Sequence, residues 1–354
     1  MTLLKVDQPV IGPTAYRKNV IINGDFKVWQ RGTTLAGINS GMGIKMVADR
    51  FAVGTSSDAV LTASKTAPGP SFAVSGRYWP GGLYVSTTTA DVSIGAGQFG
   101  EVIYRVEGYD LIPFLGRVCT LSFWSAATKT GVYCVALRNN LAGPDRSYVF
   151  EYTQAVASTW QFNQFTFTMH DAQTGTWDLT NGMGLDIWFM ICCGSTYQTT
   201  PNGWRTGNYL ATSNQVNGFD TIGNNFWLTG VQLELGPVAT AFENRSFGEE
   251  LALCQRYYLP ATAAVGMADA STTADLLVTF PQEMRITPIV GTPATNLSVW
   301  DGQVGTFTQS SPSASNIVSA TTKCMGVRCG NFTGMTAGRA LFLSGGIIPL
   351  DSEF

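Results

Sequence analysis

Charge is scarce in this sequence. Asp, Glu, Lys and Arg together make up 13% of the 354 residues, about half the roughly 25% usual in soluble domains. The net charge is −3, and Lys and Arg form no run, which excludes the electrostatic footprint of a nucleic-acid or anionic-membrane binder. Histidine occurs once, at His170, so a Ser-His-Asp apparatus would have to be built on that imidazole. No G-x-S-x-G elbow accompanies it, and it reads as a structural residue at a strand end. Long apolar runs are missing too. The most apolar window, residues 187–193, is far short of the about 20 residues that a membrane helix needs. The first residues lack the apolar core of a secretory signal and are broken by Pro9 and Pro13. We therefore expect a soluble protein without membrane insertion. The seven cysteines form no C-x-x-C pair, which argues against zinc and for buried, reduced thiols; a disulfide between Cys324 and Cys329 stays open.

What is present is apolar and aromatic: hydrophobic residues reach 45% and aromatics 12%, enough to exclude disorder and to leave Ser, Thr, Asn, Gln and Gly for the surface. A chain of this length exceeds the roughly 250–300 residues at which one core stops growing, so two domains are expected. Strand patterns dominate. Val20, Ile21 and Ile22 run into an Asn23-Gly24-Asp25 turn, with Phe26, Val28 and Trp29 beyond it. Short strands are expected near Arg50 to Val53 and Gly82 to Val85. Val102, Tyr104 and Val106 then alternate with Ile103, Arg105 and Glu107, as do Leu121 and Phe123 with Ser122 and Trp124. Residues 132–137 are apolar at both parities, which suits a strand buried on both faces and closed by Asn139-Asn140. Trp160 and Phe162 share one parity while Phe165, Phe167 and Met169 take the other, which predicts a bulge near Asn163-Gln164. Turn-separated strands without helix periods predict an all-β fold: a jelly-roll sandwich, then a short capped helix and a small C-terminal β domain. The expected division is an arm at 1–18, the jelly roll at 19–243, a helix and linker at 244–259, and the β domain at 260–354. In that last domain, strands are expected at 274–280, 289–290, 298–300 and 340–343, with 310–315 as a loop tip.

Residues 230–258 join the two parts. Val231, Leu233 and Leu235 share a parity that should bury, leaving Gln232 and Glu234 outside, and Gly236-Pro237 stops the strand. Ser246 followed by Glu249 is a capping box that should start a helix. Leu251, Cys254 and Tyr258 then form one apolar stripe ended by Pro260, for packing between domains or between subunits.

NVIINGDFKVWQRG at 19–32, ADRF at 48–51 and QLELGPVATAFENRSFGEELALCQRYY at 232–258 resemble a family of bacteriophage tail-fibre and related virion proteins. VCTLSFWS at 118–125 and residues 160–169 are similar to strands of carbohydrate-binding-module jelly rolls, and PQEMRITP at 281–288 looks like the opening of the small β domain that follows in that family. The resemblance covers roughly residues 19–290. It implies a virion surface component made in the bacterial host cytoplasm, a homotrimer that mounts on other virion proteins through its N-terminal segment and meets host surface polysaccharide. A polysaccharide-degrading spike and a capsid or collar decoration without receptor role are the alternatives.

No catalytic residue and no cofactor is expected. Gly95 to Gly100 fits G-x-G-x-x-G but lacks the following helix that would hold a phosphate, and reads as a loop. A glycosidase would need two carboxylates, and Asp171, Asp178 and Asp186 read instead as turn or surface residues. Glycan contact has more support, because aromatic faces stack on pyranose rings while Asn and Asp bond the hydroxyls. The long polar stretch 195–225 carries Tyr197, Trp204 and Tyr209 with Asn208, Asn214 and Asp220, a set that also suits packing against a neighbouring subunit. Tyr78-Trp79-Pro80 is a second candidate. No metal site is expected; Asn23 and Asp25 have oxygens suited to a structural Ca²⁺, although Asn-Gly-Asp is first of all a turn.

Overall fold

Two antiparallel sheets packed face to face make up the larger part of the chain. The computed structural model describes residues 17–66, 69–139, 143–311 and 316–354. Residues 1–16 of the expected N-terminal arm, Asn140 and most of the 310–315 loop tip lie outside these. One sheet has six strands in the order Thr34–Ile38, Val60–Thr66, Gly82–Thr89, Asn225–Leu235, Val118–Ala127 and Gln161–Thr168. The other has seven: Trp204–Thr206, Arg146–Gln154, Gly131–Arg138, Met183–Cys193, Phe99–Glu107, Phe51–Thr55 and Lys45–Ala48. Alternation along these strands fills the space between them. Cys119, Leu121 and Phe123 of the first sheet meet Leu185, Ile187 and Phe189 of the second in one continuous core. Phe123 lies edge-on to Phe189 at 5.0 Å and to Tyr152 at 5.4 Å. Each such side chain removed from water contributes about 1.5–3 kcal/mol. The protein is an all-β jelly-roll sandwich, followed by a short capped helix and a smaller β domain.

Three local expectations are corrected. Residues 19–29 form no ladder strand; they are an irregular, almost wholly buried segment held by side-chain amides. The Asn19 amide oxygen accepts from the N–H groups of Ile21 and Leu233, and Asn23, at φ +60°, bonds both backbone groups of Val28 and the carbonyl of Asp49. These amides supply the backbone partners that a ladder would otherwise have given. Gln232 and Glu234 do not face solvent either. The chain after Gly236 folds back over them, so Glu234 accepts from the backbone and hydroxyl of Thr240 while Gln232 accepts from the Glu243 N–H. Finally, the strand Gln161–Thr168 has no bulge: its register against Val118–Ala127 runs unbroken from Gln161 opposite Ser125 to Thr168 opposite Val118. The parity change is real, because Phe165 and Phe167 pack inward while Phe162 points out.

The capping box forms as expected. Ser246 Oγ accepts from the Glu249 N–H at 3.2 Å, and the Glu249 carboxylate accepts from the Ser246 N–H at 2.8 Å. The helix Phe247–Gln255 ends before Tyr258, which opens the strand Tyr258–Ala261, so Tyr258 is off the helical stripe and Pro260 lies in a strand. The aromatic that buries is Tyr257, packed with Cys254, Ile22 and Val28, with Leu251 half-buried beside them. The Tyr258 ring instead lies under the Arg31 guanidinium at 3.7 Å.

The C-terminal domain pairs a three-stranded sheet, Tyr258–Ala261, Ile348–Asp351 and Ile289–Val290, with a seven-stranded one. Its core holds Leu276, Val299, Met325, Val327 and Leu350. Cys324 and Cys329 sit at opposite ends of one strand, Cys324–Cys329, on opposite faces. Five residues at about 3.3 Å each put their Cα atoms roughly 16 Å apart, too far for the at most ~7 Å of a disulfide. Among the described residues no disulfide forms. Arg50 locks the domains together: fully buried, it pairs with Glu353, donates to the Arg105 carbonyl and lies 3.4 Å from the Tyr257 ring centre. Arg285 donates to the carbonyls of Ser352 and Glu353, and Tyr257 Oη donates to Glu107 at 2.7 Å.

Candidate functional site

The residues of 195–225 singled out for glycan contact are not gathered into one site. Tyr197 and Tyr209 pack on the outer face of the seven-stranded sheet, Tyr197 edge-on to Phe99 at 5.2 Å. Trp204 belongs to a different group, edge-on to Tyr148 at 5.5 Å and to His170 at 5.3 Å, with its indole N–H on the Thr168 carbonyl. Asn208 accepts from Arg138 at 2.6 Å, Asn214 donates to Glu151, and Asp220 pairs with Lys129. The stretch supplies the edge strand Trp204–Thr206 and a cover for the outer face of the sheet, and its aromatics are spent on packing. Sequence composition alone does not separate an aromatic that covers a core from one that meets a ligand.

The other expected positions are also accounted for. The His170 ring stacks on Trp177 at 5.0 Å and its Nδ1 accepts from the Ala172 N–H, while burial lowers its pKa. Asp171 and Asp178 bond the backbone N–H two residues on, as turn residues do. Asp186 is not the turn or surface residue expected: it lies fully buried within the strand Met183–Cys193, where its charge is met by Arg138 at 2.9 Å and Arg105 at 3.6 Å. Gly95 to Gln98 is a turn that feeds the strand Phe99–Glu107 rather than a helix. Asn23 has its amide committed as described above, and Asp25 faces the Lys27 ammonium at 3.0 Å. Among the described residues no group of three or more His, Cys, Asp or Glu side chains is placed to hold a metal.

An open groove lies on the outer face of the six-stranded sheet, with a volume of about 600 Å³. Its floor is the ladder itself: Ser122 and Trp124 from one strand, Phe162 from the edge strand beside it, and Gly230 from the strand on the other side. Alternation puts Trp124 outward between Phe123 and Ser125, and the same rule puts Phe162 outward opposite it in register. The two rings meet at 5.4 Å, and Phe162 is 46% exposed. Gly230, at φ +64°, sits in an irregularity between Thr229 and Gln232 where the strand shifts register against its neighbour. A Cβ there would come within 2.4 Å of the Trp79 ring, so the glycine lets that indole settle on the sheet.

Two segments outside the ladders form the walls. From 75–79 come Ser75, Arg77, Tyr78 and Trp79; from 240–244 come Thr240, Phe242 and Asn244. Trp79 is edge-on to Phe242 at 5.3 Å and donates its indole N–H to Ser75 Oγ at 2.9 Å, which fixes the ring. The Arg77 guanidinium lies over both rings, 4.2 Å from Trp79 and 4.8 Å from Phe242. Tyr78, 83% exposed, stands at the rim against Phe72. Of the sequence candidates, Tyr78 and Trp79 therefore belong to the groove. Trp124, Phe162 and Phe242 were missed, and the odd parity of Phe162 was the one signal that pointed to them. Chemically the described residues that line the site offer aromatic faces, hydroxyls, a side-chain amide and one cation, and include no carboxylate.

The motifs of the tail-fibre resemblance lie elsewhere and converge on one another. Asn23 N–H donates to Glu250 at 2.6 Å, Gln30 donates to Asp49 at 2.7 Å, and Arg245 donates to the Ile21 carbonyl at 3.1 Å. They build the junction between sandwich, helix and C-terminal domain.

No protein-family model matches the chain, and no curated protein matches it. Solved structures do. A family 11 carbohydrate-binding module from Clostridium thermocellum, in complex with a β-1,3-1,4-mixed-linked tetrasaccharide, is 14% identical over 56% of this chain and 98% of its own, with a TM-score of 0.31. The N-terminal cellulose-binding domain of Cellulomonas fimi β-1,4-glucanase C is 17% identical over 45% and 80%, at 0.25. The enzymatically active domain of tailspike protein 4 of bacteriophage CBA120 is 10% identical over 62% of this chain and 22% of that one, at 0.31.

Proposed function

We propose that this chain is a non-enzymatic structural component of a bacteriophage virion, a tail fibre, spike or receptor-binding part, and that it holds host surface glycans in the groove over Trp124 and Phe162. The observation that carries the glycan reading is this open aromatic floor set between polar walls. Ring faces take the apolar face of a pyranose, and Ser75, Ser122, Thr240 and Asn244 supply partners for its hydroxyls. The volume lies within the roughly 300–1,000 Å³ of small-ligand sites. The non-enzymatic reading is supported by the lining, since hydrolysis of a glycosidic bond by the common route takes two carboxylates. The virion reading, with its homotrimer and its attachment to other virion proteins, rests on the sequence resemblance.

Purified protein is to be titrated with a panel of bacterial capsule and lipopolysaccharide oligosaccharides, alongside a Trp124→Ala/Phe162→Ala double variant. Binding that the double variant loses, with no new reducing ends released over the incubation, is the expected result. Release of reducing ends would favour a polysaccharide-degrading spike, and binding indifferent to the double substitution would place the site elsewhere. Mass spectrometry of purified particles and the solution mass of the chain test the virion and homotrimer readings.

A further inference from the structure

Among the described residues the groove has a single charged side chain in its lining, and the groups around it decide what that charge is for. We infer that the groove selects acidic oligosaccharides, with Arg77 receiving the carboxylate of a hexuronic acid whose ring stacks on Trp124 and Phe162. The inference rests on the glycan reading above and adds the class of sugar. Arg77 is held by its stacking on Trp79 and Phe242, and its hydrogen bond to Asn244 is long, at 3.5 Å. Most of its five N–H donors are therefore free for a ligand.

The neighbouring carboxylates leave its donors unused. Asp25, itself buried, forms an ion pair with the Lys27 ammonium at 3.0 Å and a longer one with Arg77 at 4.0 Å, beyond hydrogen-bond reach. Glu243 is taken by Arg245 at 2.6 Å. Glu234 is buried beneath Thr240, accepting from that residue's N–H and hydroxyl and from Gln232. What faces the open groove is a planar cation with unused donors, set beside two ring faces. A uronate matches both halves of that surface, since a guanidinium bonds a carboxylate through two parallel N–H···O contacts. A neutral hexose would use the rings and leave the fork to water, and an amino sugar would bring a like charge to it.

The test is calorimetric titration of the full chain with a tetrasaccharide of hexuronic acid and with the same tetrasaccharide after reduction of its carboxyls to alcohols. Ring and linkage are thereby kept and only the charge is removed. Wild type should bind the acidic form about tenfold or more tightly than the reduced form. That preference should shrink in high salt, vanish in Arg77→Gln, and survive in part in Arg77→Lys, which keeps the charge and loses the fork. A phosphorylated neutral tetrasaccharide serves as a further arm, and binding as tight as that of the uronate would replace the carboxylate with a general anion and overturn the uronate assignment. Equal affinity for the acidic and reduced forms overturns the role of Arg77 while leaving the groove a glycan site. If neither form binds, and no neutral glycan does, the glycan reading and this inference fall together. Circular dichroism melting of the Arg77 variants separates a loss of binding from a loss of fold.

Discussion

Gly230 lies directly beneath Trp79: the Cβ that any other residue would carry falls 2.4 Å from that indole. Gly230→Ala must therefore move Trp79, and the backbone at φ +64° disfavours a side chain as well. We expect the substitution to cost about 1–3 kcal/mol in urea unfolding and to weaken glycan binding, because the wall built on Trp79 is displaced. An unchanged affinity would mean that the indole contributes nothing to the site.

Arg50 joins the two domains through Glu353, the Arg105 carbonyl and the Tyr257 ring. Its replacement by Ala leaves the Glu353 carboxylate buried with Arg31, at 3.7 Å, as its remaining ion-pair partner among the described residues. The expected cost is about 3–5 kcal/mol. Calorimetry should record one transition for wild type and two for the variant, with the C-terminal domain melting on its own. A single transition in the variant would show that the seam holds without Arg50.

Glu101 is fully buried among Arg138, Asp186 and Arg105, and burial pushes its carboxyl up to about 8. In the unfolded chain it titrates near about 4.3. Between those values the folded state holds a proton that the unfolded state has lost, so this group's stabilisation is complete below about pH 4.3 and is lost as the pH rises through about 8. Thermal unfolding from pH 5 to pH 9 should decline more steeply for wild type than for Glu101→Gln. Parallel profiles would place the Glu101 proton elsewhere.

Seven thiols in one chain invite oxidation only where they can be reached. Cys324 is half-exposed and the other six are buried, with burial pushing Cys119 and Cys193 up to about 12. Native protein should react with a thiol reagent at one site and denatured protein at seven. More than one fast-reacting thiol in the native state would contradict the packing around the rest.

Much of the sandwich was legible because its strands obey a two-residue period. The helix start was legible because Ser246 and Glu249 satisfy each other within one turn. The groove was not, for a physical reason. Trp79, Trp124, Phe162, Gly230 and Phe242 come from separate strands and segments, and no local rule brings them together. Phe162 did announce itself by breaking parity, yet a bulge explains a broken parity as well as an outward ring does. Trp204 shows the opposite failure: a tryptophan in a polar stretch looks available, and only its contacts with Tyr148 and His170 reveal that it is used. Gln232 and Glu234 looked exposed because alternation describes one sheet face and is blind to a chain that returns over the other.

The floor of the groove belongs to hydrogen-bonded strands, while its walls belong to two connecting segments near residues 70–80 and 237–244. A substitution on a wall therefore changes the lining of the groove and leaves the ladder hydrogen bonds of its floor in place. The same division makes the chain suited to re-engineering by exchange of two short segments, with Gly230 kept as the floor position on which Trp79 is seated.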